Sequence, residues 1–372
     1  MSTRVLSGSV KVHVVDPSAY TPPYDHALCA ALAATGLDVE LYTSRFDYGG
    51  LPASEGYRRR ELFYALAPSR APAPLRRAAK LAEHVPDMLR YRAAAGRADV
   101  VHFQWLTVPQ IDGPLLPRRR PLVATAHDIL AREATAGQHG AMRRLLRRFD
   151  AVIAHSQRGR ARLIEELGVA PQRAHVIAHG AFAHLAALPA AALPPEVTDD
   201  GGPIVLWFGL IRPYKGLEAL LDAWRGVEGA RLWVVGMPRY EITALRAGAP
   251  ANVDWVPRFV SDGELAAVFR RAQIVVAPYL ESEQSGVVAT ALAFGSPLIL
   301  TDVGGFGEVG AAGAARLVAP GDTGALGEAI SDLLADAQER DALSSAALEL
   351  AGGEWSWQRV AERTAALYRE LL

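Results

Sequence analysis

Two cations follow the predicted strand that opens the second half of the chain, in the segment FGLIRPYKGLEALLDAW at 208–224. Arg212 and Lys215 fall in a short loop between a predicted strand that ends at Gly209 and a predicted helix that begins near Gly216. Arginine offers a bidentate fork and lysine a mobile point charge, and both suit a diphosphate at the carboxyl end of a strand beside a helix N-terminus. The spacing therefore predicts an anion site, with two solvated loop cations as the alternative.

A second polar loop follows the predicted strand 274–279 and opens a helix. Gln284 or Ser285 stands where the N-cap is expected, which leaves the backbone N–H groups from about 285 to 288 without helical partners. A phosphate at such a position gains hydrogen bonds and the favourable end of the helix dipole. The acids Glu281 and Glu283 are candidates for hydrogen bonds to sugar hydroxyls, or they only stabilise the start of the helix.

The elements that position these loops are predicted from apolar β-rich runs that alternate with longer amphipathic stretches, a pattern typical of βαβ units. Continuous apolar runs, rather than alternating ones, favour parallel strands covered on both faces. The predicted strands are 11–16, 39–44, 101–105, 121–128, 151–156 and 175–180 in the first half, and 204–209, 231–236, 253–258, 274–279, 297–302 and 316–320 in the second.

The segment AALPPEVTDDGG at 191–202 is predicted to be a linker between two domains, because its Pro, Asp and Gly residues favour neither helix nor strand. The fold class that follows is α/β, with two Rossmann-like, doubly wound parallel-sheet domains at 1–190 and 203–354. Residues 355–372 are predicted to form an amphipathic closing helix that docks on either domain. Ligands of such sheets bind outside the carboxyl ends of the strands, so we expect a cleft between the two sheets.

Eight short motifs, each weak alone, stand along the chain in the order of a known family. In the second half they are Gly209…Arg212…Lys215-Gly216, Pro278-Tyr279-Leu280, Thr290-Ala291-Leu292-Ala293-Phe294-Gly295-Ser296-Pro297, and Gly304-Gly305 with Glu308. In the first half they are Val100-Val101-His102, Thr125-Ala126-His127-Asp128, Ile153-Ala154-His155-Ser156 and Val176-Ile177-Ala178-His179-Gly180. Together they resemble the retaining GT-B glycosyltransferases of family 4, and the resemblance covers nearly the whole chain.

The resemblance implies a transferase that moves a hexose from a UDP- or GDP-linked sugar to a glycan, a lipid-linked intermediate or a natural product. It implies that Arg212 and Lys215 neutralise the donor diphosphate and that His127 lies near the transferred sugar and the acceptor; these three are the catalytic candidates. The other candidates are Gly209, Glu281, Ser282, Glu283, Gln284, Ser285, Gly286, Val287 and Thr290 for the donor, and Tyr20, Tyr24, His102 and Asp128 for the acceptor. The nucleotide sugar is the substrate, and no cofactor is expected. No metal is expected either, because no Asp-x-Asp follows a predicted strand.

The sequence departs from the family pattern at two places. The family's paired glutamates, eight positions apart, correspond here to Ser282 and Thr290. A threonine hydroxyl cannot reproduce the two-oxygen contact of a carboxylate with a ribose diol. Pro22 and Pro23 stand near the position of the family's glycine pair, and prolines lack the amide donors of a glycine-rich loop. The sequence therefore predicts divergent donor and acceptor pockets.

Other functions on a similar doubly wound fold are alternatives to glycosyl transfer. A dinucleotide-dependent oxidoreductase needs G-x-G-x-x-G after its first strand, and Asp16-Pro17-Ser18-Ala19-Tyr20 does not match it. A nucleotide-sugar epimerase remains an alternative, as does a degenerate, non-catalytic GT-B binding protein. A strand-end histidine is also typical of a buried structural role, for His127 and more strongly for His102, His155 and His179.

Composition narrows the class of protein. The 372 residues are 50% hydrophobic and 21% charged, which indicates well-packed cores and argues against a disordered chain. The single cysteine, Cys29, cannot form an internal disulfide. The first residues lack the apolar segment of a secretory signal, and no apolar run is long enough for a transmembrane helix. A cytoplasmic location is expected.

The formal net charge of −1 hides an asymmetry between the halves of the chain. Residues 1–190 contain 25 Lys+Arg and 16 Asp+Glu, whereas residues 191–372 contain 14 and 24. The basic half favours an anionic acceptor or a peripheral contact with an anionic membrane, with a solvated arginine-rich surface as the alternative. No nucleic-acid partner is expected, because no known binding module surrounds the arginine clusters.

One helix is the candidate for this membrane contact. Its arginines are expected on one face beside apolar side chains, as in an interfacial helix, although a solvated helix has the same spacing. The residues are Arg143, Arg144, Arg147 and Arg148, with Leu145, Leu146 and Phe149.

Overall fold

The computed structural model of the chain describes residues 9–46, 51, 53–67, 72–129, 136–189 and 191–372. The chain forms two structural units. Unit 1 contains the residues up to Gly180 together with Trp357–Leu372, and unit 2 contains Ala181–Ser356. Each unit is built on one parallel sheet with helices, as the alternation of strands and helices in the sequence predicts.

The sheet of unit 1 has seven parallel strands in the order β3-β2-β1-β4-β5-β6-β7. The strand order reverses between β1 and β4, which places the topological switch point of this sheet between these two strands. The strands are β1 (Lys11–Asp16), β2 (Asp38–Ser44), β3 (Arg58–Phe63), β4 (Val100–Phe103), β5 (Leu122–Thr125), β6 (Ala151–Ala154) and β7 (Ala174–Val176).

The edge strand β3 is the strand that the sequence pattern missed. Its residues RRRELF contain no continuous apolar run; they pair with β2 in parallel, and charged side chains add ion pairs between the two strands. Arg58 donates to Glu40 at 3.0 Å and to Asp38 at 2.6 Å. An edge strand with exposed charges is disfavoured as a template for further strand pairing, so the arginine cluster at 58–60 belongs to the architecture of the sheet.

The described residues of unit 1 form six α-helices around its sheet, and the last of them comes from residues 357–371. They are α1 (Pro22–Ala34), α2 (Ala73–Ala94), α3 (Pro109–Leu115), α4 (Ala136–Leu146), α5 (Gln157–Glu165) and α14 (Trp357–Leu371). Pro22 and Pro23 open α1, where a missing amide proton costs no helical hydrogen bond. The buried face of α14 includes Val360, Ala365 and Tyr368 and packs in one apolar cluster with β1 and α1.

Unit 2 has six parallel strands in the order β10-β9-β8-β11-β12-β13, with its switch point between β8 and β11. The strands are β8 (Ile204–Phe208), β9 (Arg231–Val235), β10 (Val253–Val256), β11 (Ile274–Ala277), β12 (Leu298–Thr301) and β13 (Arg316–Val318). The helices are α6 (Ala183–Ala186), α7 (Leu217–Trp224), α8 (Thr243–Gly248), α9 (Asp262–Arg271), α10 (Gly286–Ala293), α11 (Phe306–Ala311), α12 (Thr323–Ala335) and α13 (Ala337–Gly352).

The segment predicted to be a linker, 191–202, packs with unit 2 in the structure. Asp199 accepts hydrogen bonds from Arg271 of α9 at 2.7 and 2.9 Å, and the amide of Thr198 donates to Asp254 at 2.9 Å. These contacts fix the segment by charge and backbone hydrogen bonds, which its Pro- and Gly-rich composition did not indicate.

The structure corrects the prediction of an exposed apolar face on α4. Leu145, Leu146 and Phe149 are only 1–4% exposed and belong to the core of unit 1. The helix ends at Leu146, so Arg147 and Arg148 follow it rather than continue it. Its arginines are exposed, but the apolar side chains beside them already pack in the protein interior.

Candidate active site

Two neighbouring strands of unit 2 deliver the predicted donor residues to one edge of the sheet. The loop after β8 contains Arg212 and Lys215, and the loop after β11 contains residues 278–285. Because β8 and β11 flank the switch point, their following loops diverge to opposite faces and leave a crevice between them. The amide of Leu280 donates to the carbonyl of Tyr214 at 2.8 Å and joins the two loops directly.

Lys215 is held in this crevice by an aromatic side chain from the second loop. Its ammonium group donates to the hydroxyl of Tyr279 at 2.8 Å and lies 4.6 Å from the centre of the Tyr279 ring. The lysine is 8% exposed. Arg212, in contrast, is exposed at the start of the same loop. The pair therefore offers one partly desolvated cation held by Tyr279 and one exposed cation.

Two glycines make the close approach of these loops possible. Gly216 has φ +68°, and a Cβ atom there would lie 1.9 Å from the carbonyl oxygen of Pro278. Gly209 has φ +123°, and a Cβ atom there would lie 2.9 Å from the lysine nitrogen and 3.2 Å from Val287. Gly209, Lys215 and Val287 thus lie close together. A side chain at Gly209 or at Gly216 would occupy the space that their neighbours fill.

The start of α10 faces the same edge of the sheet. Ser285 is its N-cap: the serine hydroxyl accepts from the amide of Val287 at 3.2 Å and lies 3.4 Å from the hydroxyl of Tyr279. The first helical hydrogen bond runs from the amide of Ala289 to the carbonyl of Ser285. The amides of Gly286 and Val288 precede it, as expected for donors at a helix N-terminus.

Ser282 and Thr290 are both buried, and both hydroxyls bond within their own segment. The Ser282 hydroxyl donates to the carbonyl of Gln284 at 2.9 Å, and the Thr290 hydroxyl donates to the carbonyl of Gly286 at 2.8 Å. Glu281 is exposed, whereas Glu283 and Gln284 are half-buried. The carbonyl of Glu283 accepts from the amide of Gly305, which ties this loop to the Gly304-Gly305 motif.

In unit 1 the strand-end residues of β5, β6 and β7 form a cluster of buried aromatic side chains. The Tyr24 ring lies 4.7, 5.5 and 5.0 Å from the ring centres of His127, His155 and His179. Trp357, the first residue of α14, lies 5.0 Å from Tyr24 on a further side. Tyr24 is 4% exposed, so its side chain packs the histidines in this structure instead of facing solvent.

His127 has protein partners at both ring nitrogens. Its Nε2 lies 3.1 Å from the side-chain oxygen of Gln104, and its Nδ1 lies 3.3 Å from Nε2 of His155. Burial, followed by the nearby histidines, lowers the pKa of His127 well below its usual value. The neutral ring stacks on Trp105 with 5.1 Å between ring centres.

His102 occupies a structural position. Its Nδ1 lies 2.6 Å from the hydroxyl of Tyr368 in α14, and its Nε2 lies 2.7 Å from the hydroxyl of Thr125. The residue is 1% exposed, and burial lowers the pKa of its imidazole to about 3. This is the alternative that the sequence left open for a strand-end histidine, and its place in the acceptor site stays a prediction.

A cavity of about 220 Å³ lies in unit 1 beside His127. Its polar wall includes Gln104, Thr107, Asp128 and Gln138, and its remaining walls are mostly apolar. Tyr20, which is 60% exposed, contacts Trp105 edge-on, and Trp105 also lines the cavity. The structure thus brings the predicted His127 and Asp128 to one cavity, with Tyr20 reaching it through Trp105.

The loop after β1 is organised by a buried carboxylate that was not among the predicted site residues. Asp16 accepts hydrogen bonds from the amides of Ser18, Tyr20 and Thr21 at 3.2, 2.6 and 3.2 Å. Asp25 of α1 hydrogen-bonds to Asp16, and burial and the neighbouring carboxylate raise the pKa of Asp25. The amide donors of this loop are therefore directed at the chain's own carboxylate rather than at a ligand.

Two residues of these sites, Asp16 and Tyr279, were not among the predicted site residues, and they share one position in the fold. Each stands at or just after the end of a strand that flanks a switch point, β1 in unit 1 and β11 in unit 2. Polar residues at such ends are the signal that finds them. Within the described residues, no group of three or more His, Cys, Asp or Glu is arranged to hold a metal ion.

Comparison with known proteins identifies the class that this fold and these sites define. The family model for Glycosyltransferase Family 4 matches residues 24–183, and that for Glycosyl transferases group 1 matches residues 202–336. The chain belongs to the group 1 glycosyltransferases of family 4, and the predicted resemblance is confirmed.

Among curated proteins, the chain is similar to a GDP-mannose:glycolipid 4-beta-D-mannosyltransferase from Xanthomonas campestris. The two are 27% identical over 249 residues, which is 59% of this chain and 68% of the relative. It is also similar to a D-inositol 3-phosphate glycosyltransferase from Segniliparus rotundus, with 29% identity over 75% of this chain and 67% of the relative.

Solved structures show the fold. The sucrose-phosphate synthase from Thermosynechococcus elongatus superimposes with a TM-score of 0.75 at 21% identity, over 97% of this chain and 99% of that one. Anabaena HepE in complex with UDP-glucose gives a TM-score of 0.72 at 19% identity, over 97% and 100% of the two chains. The predicted GT-B fold class, two Rossmann-like parallel-sheet domains, is confirmed.

Proposed function

We propose that this glycosyltransferase moves a hexose from a nucleotide-diphosphate sugar to an acceptor hydroxyl and that unit 2 binds the donor. The observation that supports the proposal best is the fixed cation of Lys215, held by Tyr279 beside the capped start of α10 at a switch point. A diphosphate there receives the lysine charge, the Arg212 fork and the helix amides together.

The chemistry that this arrangement favours is departure of the nucleoside diphosphate. The bond between the anomeric carbon and the phosphate oxygen breaks, and a bond to the acceptor oxygen forms in its place. Negative charge grows on the leaving phosphate, where Lys215 and Arg212 stabilise it most in the transition state. In the retaining course that we propose, the acceptor attacks from the face of the leaving group, and its proton passes to the departing phosphate.

The relatives guide the choice of donors and show which product property to measure. The Xanthomonas relative is named for GDP-mannose and a beta product, and another, from Mycolicibacterium hassiacum, is named an alpha-(1->4)-mannosyltransferase. HepE was solved with UDP-glucose. UDP- and GDP-hexoses are therefore the donors to test. The anomeric configuration of the product, read from its one-bond C1–H1 coupling constant, decides between retention and inversion.

The test of the donor site is the turnover of these donors by Lys215→Ala. Loss of one preorganised partner of the leaving charge typically costs on the order of 3 kcal/mol, or about 100-fold in kcat/KM. Lys11→Ala is the matched control, because Lys11 lies in unit 1 and pairs with Glu40 at 3.3 Å. Unchanged turnover and donor binding in Lys215→Ala would place the donor site elsewhere.

One observation favours a second function, donor binding without turnover. The hydroxyl of Thr290 already donates its proton to a carbonyl of its own helix. It therefore makes a poor partner for a ribose at the position where the family has a carboxylate. A protein that binds a nucleotide sugar in a thermal-shift titration but releases no nucleotide with any acceptor would be such a binding protein.

We also propose that the acceptor is a lipid-linked saccharide met at an anionic membrane. The excess of Lys+Arg over Asp+Glu in residues 1–190 supports this, because it favours approach to anionic lipid. None of the helices in the described part of the chain is long and apolar enough to cross a bilayer.

A further inference from the structure

The largest group of exposed apolar side chains lies on one element, α2. Of the twelve large hydrophobic residues that are exposed among the described residues, four belong to this helix. They are Leu75 at 59%, Leu81 at 56%, Val85 at 38% and Leu89 at 50% exposure. Isolated exposed apolar residues are normal, but several on one helix indicate a surface that contacts something apolar.

The spacing places three of these side chains and two exposed alanines on one face. Leu75, Ala78, Ala82, Val85 and Leu89 follow each other at intervals of three and four residues, and all are exposed. Such a series forms a single stripe, here about 20 Å long at 1.5 Å per residue. We call these five residues the α2 stripe.

The opposite face of α2 already anchors the helix to unit 1. Met88 and Tyr91 are buried in the core, and His84 lies 2.6 Å from Asp112 of α3. The helix therefore does not need the α2 stripe for packing within the unit.

Cations outnumber acids on α2, with five arginines and lysines against two acids. Glu83 accepts from the amide of Leu66 at 2.9 Å, and Asp87 accepts from the amide of Tyr64 at 2.8 Å, so both acids of the helix are turned toward the end of β3. The exposed charged side chains among the described residues of α2 are Arg77 and Arg90, and the Arg90 guanidinium also donates to the buried Asp87 at 3.0 Å. An apolar stripe on a helix with an excess of cations is typical of a helix that lies in the interface of an anionic bilayer.

We infer that the α2 stripe, with Arg77 and Arg90, is the surface through which this protein lies on an anionic membrane. The inference rests on the proposed membrane-borne acceptor, and it moves the contact from α4 to α2. Leucine and valine side chains enter the acyl boundary, while the two guanidinium groups remain at the level of the lipid phosphates. Unit 1, which contains the acceptor candidates, is thereby held at the surface where a lipid-linked acceptor resides.

Charge also disfavours the alternative of a second copy of the chain on this face. In a two-fold contact the same patch meets itself. Two α2 stripes packed together would bring two helices with the same excess of positive charge close to each other. An anionic lipid surface supplies the missing negative charge.

The experiment is flotation of the full-length chain with phosphatidylcholine vesicles that contain or lack phosphatidylglycerol. We expect binding to the anionic vesicles, with weakening as salt is added. Arg77→Gln/Arg90→Gln should bind roughly 30-fold more weakly, at about fivefold for each cation removed. Leu75→Gln/Leu89→Gln, at positions already exposed to water, should lose at least about tenfold without loss of folding.

Two matched controls locate the effect. Arg147→Gln/Arg148→Gln removes two exposed arginines beside α4 and should change binding by less than about threefold. Phe259→Gln replaces a side chain of unit 2 that is 54% exposed and should bind as the unaltered protein does. Equal loss in the α2 and α4 variants contradicts the inference, as does binding that is independent of phosphatidylglycerol. A dimer in sedimentation velocity that Leu75→Gln/Leu89→Gln dissolves also contradicts it.

Nucleotide release from the donor with a water-soluble acceptor separates this inference from the proposed activity. The α2 variants should retain that turnover, since α2 and the donor-binding unit are separate. A chain that floats through α2 but turns over no donor refutes the activity and leaves the membrane surface standing. The reverse result refutes the membrane surface alone.

Discussion

Lysine is a rare residue in this chain, and one of its few occurrences is at the candidate donor site. Of the 39 cationic residues, three are lysines: Lys11, Lys80 and Lys215. The Lys215 ammonium group is a compact donor that lies over the Tyr279 ring and reaches its hydroxyl, and the backbone of Gly209 lies close beside it, which leaves less room for a larger guanidinium group. The choice of lysine over arginine at this position follows from geometry.

Thr290 offers a test at the scale of one residue. Its hydroxyl bonds to the carbonyl of Gly286, which also serves the helix, so replacing the threonine leaves no buried group without a partner. If Thr290→Glu restores a carboxylate at the ribose, donor affinity should rise by at most about 1–3 kcal/mol, the value of a charge-assisted hydrogen bond. Calorimetric titration of UDP and GDP measures it.

Ser331→Glu is the matched control for this substitution. Ser331 lies on α12 of the same unit, and its hydroxyl makes the same type of bond, to the carbonyl of Gly327 at 2.9 Å. The control should leave nucleotide affinity unchanged. Lower affinity in Thr290→Glu would show that another group fills the space that the family gives to its second glutamate.

The candidate donor site was largely predictable from the residues, whereas the partners within it were not. A cation pair after a strand and a capped helix start can be recognised as local patterns, as at Arg212, Lys215 and Ser285. The contact between Lys215 and Tyr279 spans 64 residues and depends on β8 and β11 being neighbours. The same limit applies to Asp16, whose role depends on how the loop after β1 folds back.

At the scale of elements, the strands with continuous apolar runs were predicted and β3 was not. Its residues RRRELF are stabilised by ion pairs to β2, a cause that hydrophobic periodicity does not register. The helix α4 was predicted, but the apolar side chains beside its arginines were expected on the surface, and they lie in the core of unit 1. Spacing shows which residues share a face, and it does not show whether another element covers that face.

The closing helix α14 gives a prediction at this scale. Tyr368 is fully buried, and its hydroxyl lies 2.6 Å from His102 of β4. Tyr368→Phe removes the partner of a buried ring nitrogen, which should lower the free energy of unfolding by about 1–3 kcal/mol. Urea denaturation of the full chain measures it. Tyr240→Phe, which removes a surface bond to Glu218 at 2.9 Å, should change stability by less than about 0.5 kcal/mol.

At the scale of the whole molecule, the histidines are distributed unequally between the two units. Nine of the ten belong to unit 1, and unit 2 contains only the exposed His184. Burial lowers the pKa of His102 and His179 to about 3 and that of His155 to about 4. These rings are neutral in the folded unit, and in the unfolded chain they titrate near pH 6.5.

The sign of the resulting pH dependence follows from proton binding. Below pH 6.5 the unfolded chain takes up protons that the folded unit does not, so the stability that these histidines contribute is complete above pH 6.5 and falls as the pH drops toward 4. At pH 5.5 each of the three should cost unit 1 about 1.4 kcal/mol. The stability of unit 2 should depend little on pH through its single histidine, because His184 is exposed.

Native-state hydrogen exchange at pH 7.5 and 5.5, corrected for the intrinsic exchange rate, measures both units in one sample. We expect the protection of β4 and β6 to fall much further than that of β8 and β11. Equal loss in both units would mean that the cluster of unit 1 histidines does not set the acid sensitivity of this protein.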